Sequence, residues 1–189
     1  MECVILAAGS SSRLGMDKAL VNVGSQTLIS WISRRLSSRV ANITIVANES
    51  NFAEISKIVS DVNVILNRNP HEGRTGSLKV GIDSIDSSRV KDYRLLVVPV
   101  DRPGFSDSTL DHLICSEETC CPMKEGRGGH PLMLTFEDVD KVRRSSANSP
   151  LREVIEASRF EVLDRFLELN IDTPEDIINL QEKLQLVNE

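Results

Sequence analysis

Chemistry is concentrated first in Gly9-Ser10-Ser11-Ser12-Arg13-Leu14-Gly15-Met16-Asp17-Lys18. Small residues let a backbone approach a ligand closely, and successive N–H groups in such a turn form a concavity for an anion. Arg13 and Lys18 add two positive charges to that concavity. The combination suits a polyphosphate. Two familiar phosphate loops are excluded by spacing. A P-loop needs lysine directly after its second glycine, and here Lys18 stands three residues beyond Gly15. The dinucleotide fingerprint needs three glycines at fixed offsets, and this stretch has two. Read plainly, the same residues would also make a surface turn with two solvated bases.

A carboxylate follows at Asp101, after the apolar run Leu95 to Val100. Mg²⁺ prefers one or two carboxylates together with substrate phosphates and waters, and Asp101 fits that role. The blander reading is an Asp that shapes the turn Asp101-Arg102-Pro103-Gly104. A second glycine-bearing polar stretch, Asn67 to Leu78, has Gly73, Gly76 and Ser77 and could take the nucleoside. Equally, Ser77 could merely cap a helix that starts at Leu78. A third stretch, Lys124 to Pro131, reads as a glycine-rich hairpin, with His130 in a turn where histidines are usually solvated.

Strands and helices must bring these segments together. Val4 to Ala8 is a short apolar run of the kind that becomes a buried parallel strand. Thr27 caps a helix with Leu28, Ile32 and Leu36 on one face. Asn42 to Ala47 reads as a strand, Phe52 to Val59 as a helix, and Val62 to Leu66 as a strand. That βαβαβ order, with no linker or repeat, implies a parallel sheet with right-handed crossovers. Ligands of such sheets bind beyond the carboxyl ends of the strands. Further on, Tyr93 to Val100 is a central strand, Ser106 caps a helix, and Cys120 to Met123 is a short strand. Ser149 and Pro150 open another helix as N-cap and N1, and Phe160 to Leu169 gives one or two strands. Thr173, Pro174 and Asp176 supply a capping box for a last helix carrying Ile177, Leu180 and Leu184.

The 189 residues suit one domain, residues 1–189, with a core filled by aliphatics because aromatics are few. Formal net charge is −6, which argues against non-specific nucleic-acid binding. No apolar run approaches the roughly 18 residues of a membrane span, and the N-terminal stretch is too short for a signal peptide. The four cysteines form no CxxC pair, and adjacent Cys120 and Cys121 should face opposite sides of a strand. Reduced thiols and a cytoplasmic location are expected.

Four segments, in order, resemble the molybdenum cofactor cytidylyltransferases within the MobA-like NTP transferases. They are Leu6-Ala7-Ala8-Gly9-x-Ser11-x-Arg13-x-Gly15-x-x-Lys18, Asn69-Pro70…Gly76-Ser77-Leu78, Asp101-x-Pro103 and Gly129-His130-Pro131. The resemblance implies a single three-layer α/β/α domain, its Rossmann-like, mostly parallel sheet of the nucleotide-diphospho-sugar transferase type. It implies nucleotidyl transfer from an NTP to a phosphorylated acceptor, molybdopterin above others, with pyrophosphate released. Guanylyl transfer, or transfer to a sugar or alcohol phosphate, is the alternative, and a non-catalytic nucleotide- or pterin-binding module a remoter one. Leu6, Ala7, Ala8, Gly9, Ser10, Arg13, Lys18, Gly76 and Ser77 would bind nucleotide; Arg13, Lys18 and Asp101 would be catalytic. Gly128, Gly129 and His130 would lie at the acceptor. Mg²⁺ would sit on Asp101 and Asn170, where the family usually has Asp-x-Asp-Thr-Pro-Glu-Asp and this chain has Asn170 first. Ala at position 8, rather than Gly, accompanies CTP rather than GTP in this group. A molybdoenzyme or its chaperone would receive the product.

Overall fold

The computed structural model describes residues 1–88 and 92–188. In chain order its strands are β1 (Glu2–Ala7), the short pair β2 (Asn22–Val23) and β3 (Gln26–Thr27), β4 (Asn42–Ala47), β5 (Asn63–Leu66) and β6 (Leu95–Pro99). They continue with β7 (Cys120–Lys124), β8 (Arg127–Gly128), β9 (Leu132–Leu134) and β10 (Ser158–Glu161). The helices are α1 (Leu28–Ser37), α2 (Phe52–Ile58), α3 (Gly73–Asp86), α4 (Asp107–Cys115), α5 (Phe136–Arg144), α6 (Leu151–Val154), α7 (Pro174–Ile177) and α8 (Leu180–Gln185).

All six residues of β1 are buried, as a strand covered on both faces requires. β1 pairs in parallel with β4 on one side and β6 on the other, and the sheet runs β10-β7-β9-β6-β1-β4-β5, with β8 on β7. β9 is antiparallel to β6 and β7. From β1 the chain crosses to β4 on one side; after β6 it continues on the other. The crevice of an open sheet lies where the connections part in this way, between the carboxyl ends of β1 and β6.

Side-chain alternation divides the core in two. Cys3, Ile5, Ile45, Leu96, Val98 and Cys120 belong to the cluster on one face. Val4, Leu6, Val46, Leu95, Val97 and Cys121 belong to the cluster on the other, so the adjacent cysteines do part. The three-layer α/β/α expectation holds. Among the described residues no helix is long and apolar enough to cross a membrane.

Thr27 caps α1 by accepting from Ser30 N, and Ser106 caps α4 by accepting from Thr109 N. Four local expectations are corrected. α3 begins at Gly73 rather than Leu78, because a 3₁₀ turn over Pro70–Glu72 leads directly into it. Gly76 and Ser77 are therefore helical, and Ser77 caps nothing: its hydroxyl donates to Gly73 O at 3.0 Å. Phe160 to Leu169 holds only the end of β10; Val162, Phe166 and Leu169 pack on the first core cluster as irregular chain. α6 starts at Leu151, after Pro150. The last helix is two, since Asn179 takes a left-handed φ of 58° between α7 and α8.

Candidate active site

The serine loop is held by its own turns and by β4's exit. Leu14 N and Gly15 N both donate to Ser11 O, at 3.1 and 3.3 Å. Gly15 sits at φ 75°, where a side chain would be strained. Asn48 Nδ2 donates to Gly9 O at 3.2 Å. Asn51, fully buried, donates to Ala7 O at 2.9 Å and to Asp17 Oδ2 at 2.8 Å. Asp17 in turn caps the 3₁₀ turn that carries Lys18. Asn48 and Asn51 escaped the sequence reading; the one signal was a pair of asparagines just past an apolar strand. With the loop fixed, the backbone N–H groups of Ser10 to Arg13 have no partner among the described residues. They form the concavity that an anion would fill.

Opposite the loop, Val100 N donates to Leu6 O at 3.1 Å and sets Asp101 at the mouth of the crevice. The segment 170–172 is docked beside it. Ile171 N donates to Asp101 O at 3.0 Å, and a Cβ at Gly104 would lie 1.8 Å from Phe166 O. Only glycine lets the turn after Asp101 approach the chain leading into that segment so closely.

The charges then converge. Lys18 Nζ forms a short ion pair with Asp172 Oδ1 and lies 3.6 Å from Asp101 Oδ2. Arg13 reaches Asp172 Oδ2 at 3.0 Å. The Lys18 ammonium, hydrogen-bonded to it, holds the Asp172 carboxyl below the usual range; Asn170 and Arg13 act in the same direction. Asn170 is not the group facing the cation. Its amide donates to Asp172 Oδ2 at 2.6 Å and steadies that carboxylate. Asp172, two residues on and not singled out from the sequence, is thus the second carboxylate. Two carboxylates already share one cation, the lysine ammonium, and this donor set also fits a divalent ion that shares its remaining positions with phosphate.

A cavity of ≈ 190 Å³ joins Leu6, Ala7, Gly9, Ser10, Arg13, Lys18, Asp101 and Asp172. Ala8 is not part of its wall; it is buried in the second core cluster. Gly76 and Ser77 are set back inside α3, with Ser77 Oγ also accepting from Asn67 Nδ2 at 3.0 Å. Arg74, one helical turn earlier, reaches the cavity instead.

Beyond Arg74 opens a larger cavity, ≈ 920 Å³, walled in part by Gly128, Gly129 and His130. The expected acceptor residues therefore come together. His130 is no solvated turn histidine. Arg74 donates to its Nε2 at 3.3 Å, and its Nδ1 is buried without a partner. Burial, followed by the charges of Arg74 and Arg102, pushes its pKa down to about 3.

Known proteins resemble this chain in sequence and in fold. A molybdenum cofactor guanylyltransferase from Vibrio atlanticus is 30% identical over 125 residues, covering 65% of this chain and 56% of that protein. A molybdenum cofactor cytidylyltransferase from Escherichia coli is 20% identical, covering 97% of this chain and 96% of that one. The solved structure of a nucleotidyl transferase from Methanothermobacter thermautotrophicus superposes with a TM-score of 0.75 at 19% identity, covering 99% and 98% of the two chains; at that identity it shows the shared fold. The MobA-like NTP transferase domain matches residues 3–162, which takes in the serine loop, Asp101 and the Gly-His-Pro hairpin, and the chain belongs to that family.

Proposed function

We propose that this protein transfers a cytidylyl group from CTP to the phosphate of molybdopterin and releases pyrophosphate. The observation that carries the reading is the meeting of Lys18, Asp101 and Asp172 beneath unpaired loop N–H groups, at the sheet's crevice. An acceptor phosphate oxygen attacks the α-phosphorus in line, and pyrophosphate leaves with the electron pair of the broken bond. No protein nucleophile is needed, because the acceptor supplies it. The chain's part is positioning and charge neutralisation. The N–H groups of Ser10 to Arg13 cradle the β- and γ-phosphates. Arg13 and Lys18 exchange their carboxylate partners for the leaving pyrophosphate. Asp101 and Asp172, so released, would hold Mg²⁺, which when bound draws charge from the phosphate oxygens. His130, neutral across the working pH range, holds Arg74 on the acceptor side by accepting its hydrogen bond and adds no charge there.

The reading of CTP rests on the resemblance of Leu6-Ala7-Ala8-Gly9 to the form that accompanies CTP. GTP is the second reading. It is favoured by the burial of Ala8 away from the cavity and by the larger number of guanylyltransferases among the curated relatives. Incubation with each α-labelled NTP, Mg²⁺ and a panel of phosphorylated acceptors decides both substrates. Labelled product with CTP and molybdopterin is expected. A sugar phosphate accepted in its place would move the protein to another acceptor class. Failure to release pyrophosphate with any acceptor would leave a binding module.

A further inference from the structure

The two cavities at the crevice share one side chain, Arg74. It stands exposed in the first turn of α3, and it is the residue that differs most from the other cations of the site. Arg13 and Lys18 are paired with carboxylates; Arg74 has no carboxylate partner among the described residues. Its guanidinium is held by an imidazole instead, at 3.3 Å from His130 Nε2. Arginine only donates, so Nε2 is the lone-pair nitrogen and Nδ1 carries the ring proton. An arginine aimed by a neutral acceptor keeps its full charge and its remaining donors for a ligand. Arg152 and Arg159 line the larger cavity and also lack a carboxylate partner among the described residues; with Arg74 and Lys141 they outnumber the lining carboxylates Glu153 and Glu156, so that cavity suits an anion.

Resting on the nucleotidyl-transfer reading, we propose that Arg74 binds the acceptor's phosphate and sets it against the α-phosphate of the NTP, with His130 as its positioning residue. The reaction brings two anions together. An acceptor oxygen forms the new bond to the α-phosphorus, the bond from that phosphorus to the bridging oxygen of the leaving group breaks, and pyrophosphate takes the electrons. A phosphate monoester loses its second proton near pH 6, so no base is required at neutral pH. What the step does require is a cation between the two phosphates. Arg74 reaches both cavities and can donate to non-transferring oxygens of each.

Equilibrium titration of the intact protein tests this. The probes are Mg²⁺ with a non-hydrolysable α,β-methylene NTP, and phenyl phosphate added to that complex. Arg74→Met should weaken phenyl phosphate by roughly tenfold or more, the loss of charged hydrogen bonds, and leave the NTP analogue within about threefold. Arg74→Lys should lie between, keeping charge and losing the fork. His130→Phe should weaken phenyl phosphate, and His130→Gln, which restores an acceptor atom, should recover part of the loss. An Arg74→Met protein that binds phenyl phosphate like the unmutated one overturns the proposal. So does one that loses the NTP analogue instead, or an unmutated protein that binds no phenyl phosphate. Turnover of molybdopterin by the unmutated protein tests the transfer reading separately. Phosphate held at Arg74 without turnover would keep the clamp and remove the reaction; turnover with an acceptor KM indifferent to Arg74→Met would do the reverse.

Discussion

The crevice has two sides built on opposite electrostatic plans. On the serine-loop side, Arg13 and Lys18 are matched against Asp101 and Asp172. On the hairpin side, Arg74 rests against a neutral histidine and has no carboxylate among the described residues. The first arrangement is compensated before substrate arrives; a triphosphate with its cation can enter by exchange of partners, the cations turning to the phosphates and the carboxylates to the metal. The second is left positive, and an anion entering it gains attraction at once. On the proposed function, catalysis belongs to the compensated side and capture of the second substrate to the positive one.

Asp101→Asn would break the comparison most severely. It keeps volume and removes one of the two carboxylates that meet at Lys18. Mg²⁺-dependent pyrophosphate release should fall about 10³-fold with the thermal midpoint unchanged, a loss at the upper end for one electrostatic group. Activity kept within about tenfold would mean that the cation is held elsewhere.

Lys18→Ala comes next. Its contact with the leaving pyrophosphate should strengthen as charge builds, so turnover should drop by roughly 10²-fold while NTP affinity changes little. Equal losses in both, read from kcat and from direct titration, would make the lysine a ground-state binder only.

A paired substitution sharpens the assignment of the second carboxylate. Asp172→Asn should cost about tenfold in rate and weaken Mg²⁺, because it leaves Lys18 and Arg13 without their shared partner; one lost charged contact is of about that size. Asn170→Asp should be tolerated and tighten Mg²⁺ modestly. Metal titrations in which Asn170 variants matter more than Asp172→Asn would restore Asn170 as the ligand.

The smallest effect is expected at Ala8→Gly. The methyl lies in the core, so NTP preference in competition kinetics should shift by under about threefold, while stability falls by roughly 1 kcal/mol from one lost buried methyl and a freer backbone. A large swing toward GTP with unchanged stability would put the methyl back against the base.

Much of this molecule was legible in its residues. The apolar runs at Val4, Ile43 and Leu95 found the central strands, because a strand buried on both faces needs nothing but a short hydrophobic stretch. The caps at Thr27 and Ser106 were equally local, as was the Asp176 carboxylate that accepts from Thr173 N, each an oxygen within three residues of the N–H it satisfies. From strand order the crevice followed, and with it the serine loop facing Asp101. Local pattern failed where a neighbour distant in sequence settled the matter. Whether Asn170 or Asp172 faces Lys18 depends on how Ile171 docks on Asp101, 70 residues away in the chain. The direction of Ala8 depends on which face of β1 its side chain continues, and the helix facing it fills that side with Leu78 and Ile82. The pairing of Arg74 with His130 spans 56 positions and joins a helix start to a hairpin. Residue types and spacing determine which groups a segment can offer; only the packed chain decides which of them meet, because those distances are set by contacts between elements and not by the periodicity within one.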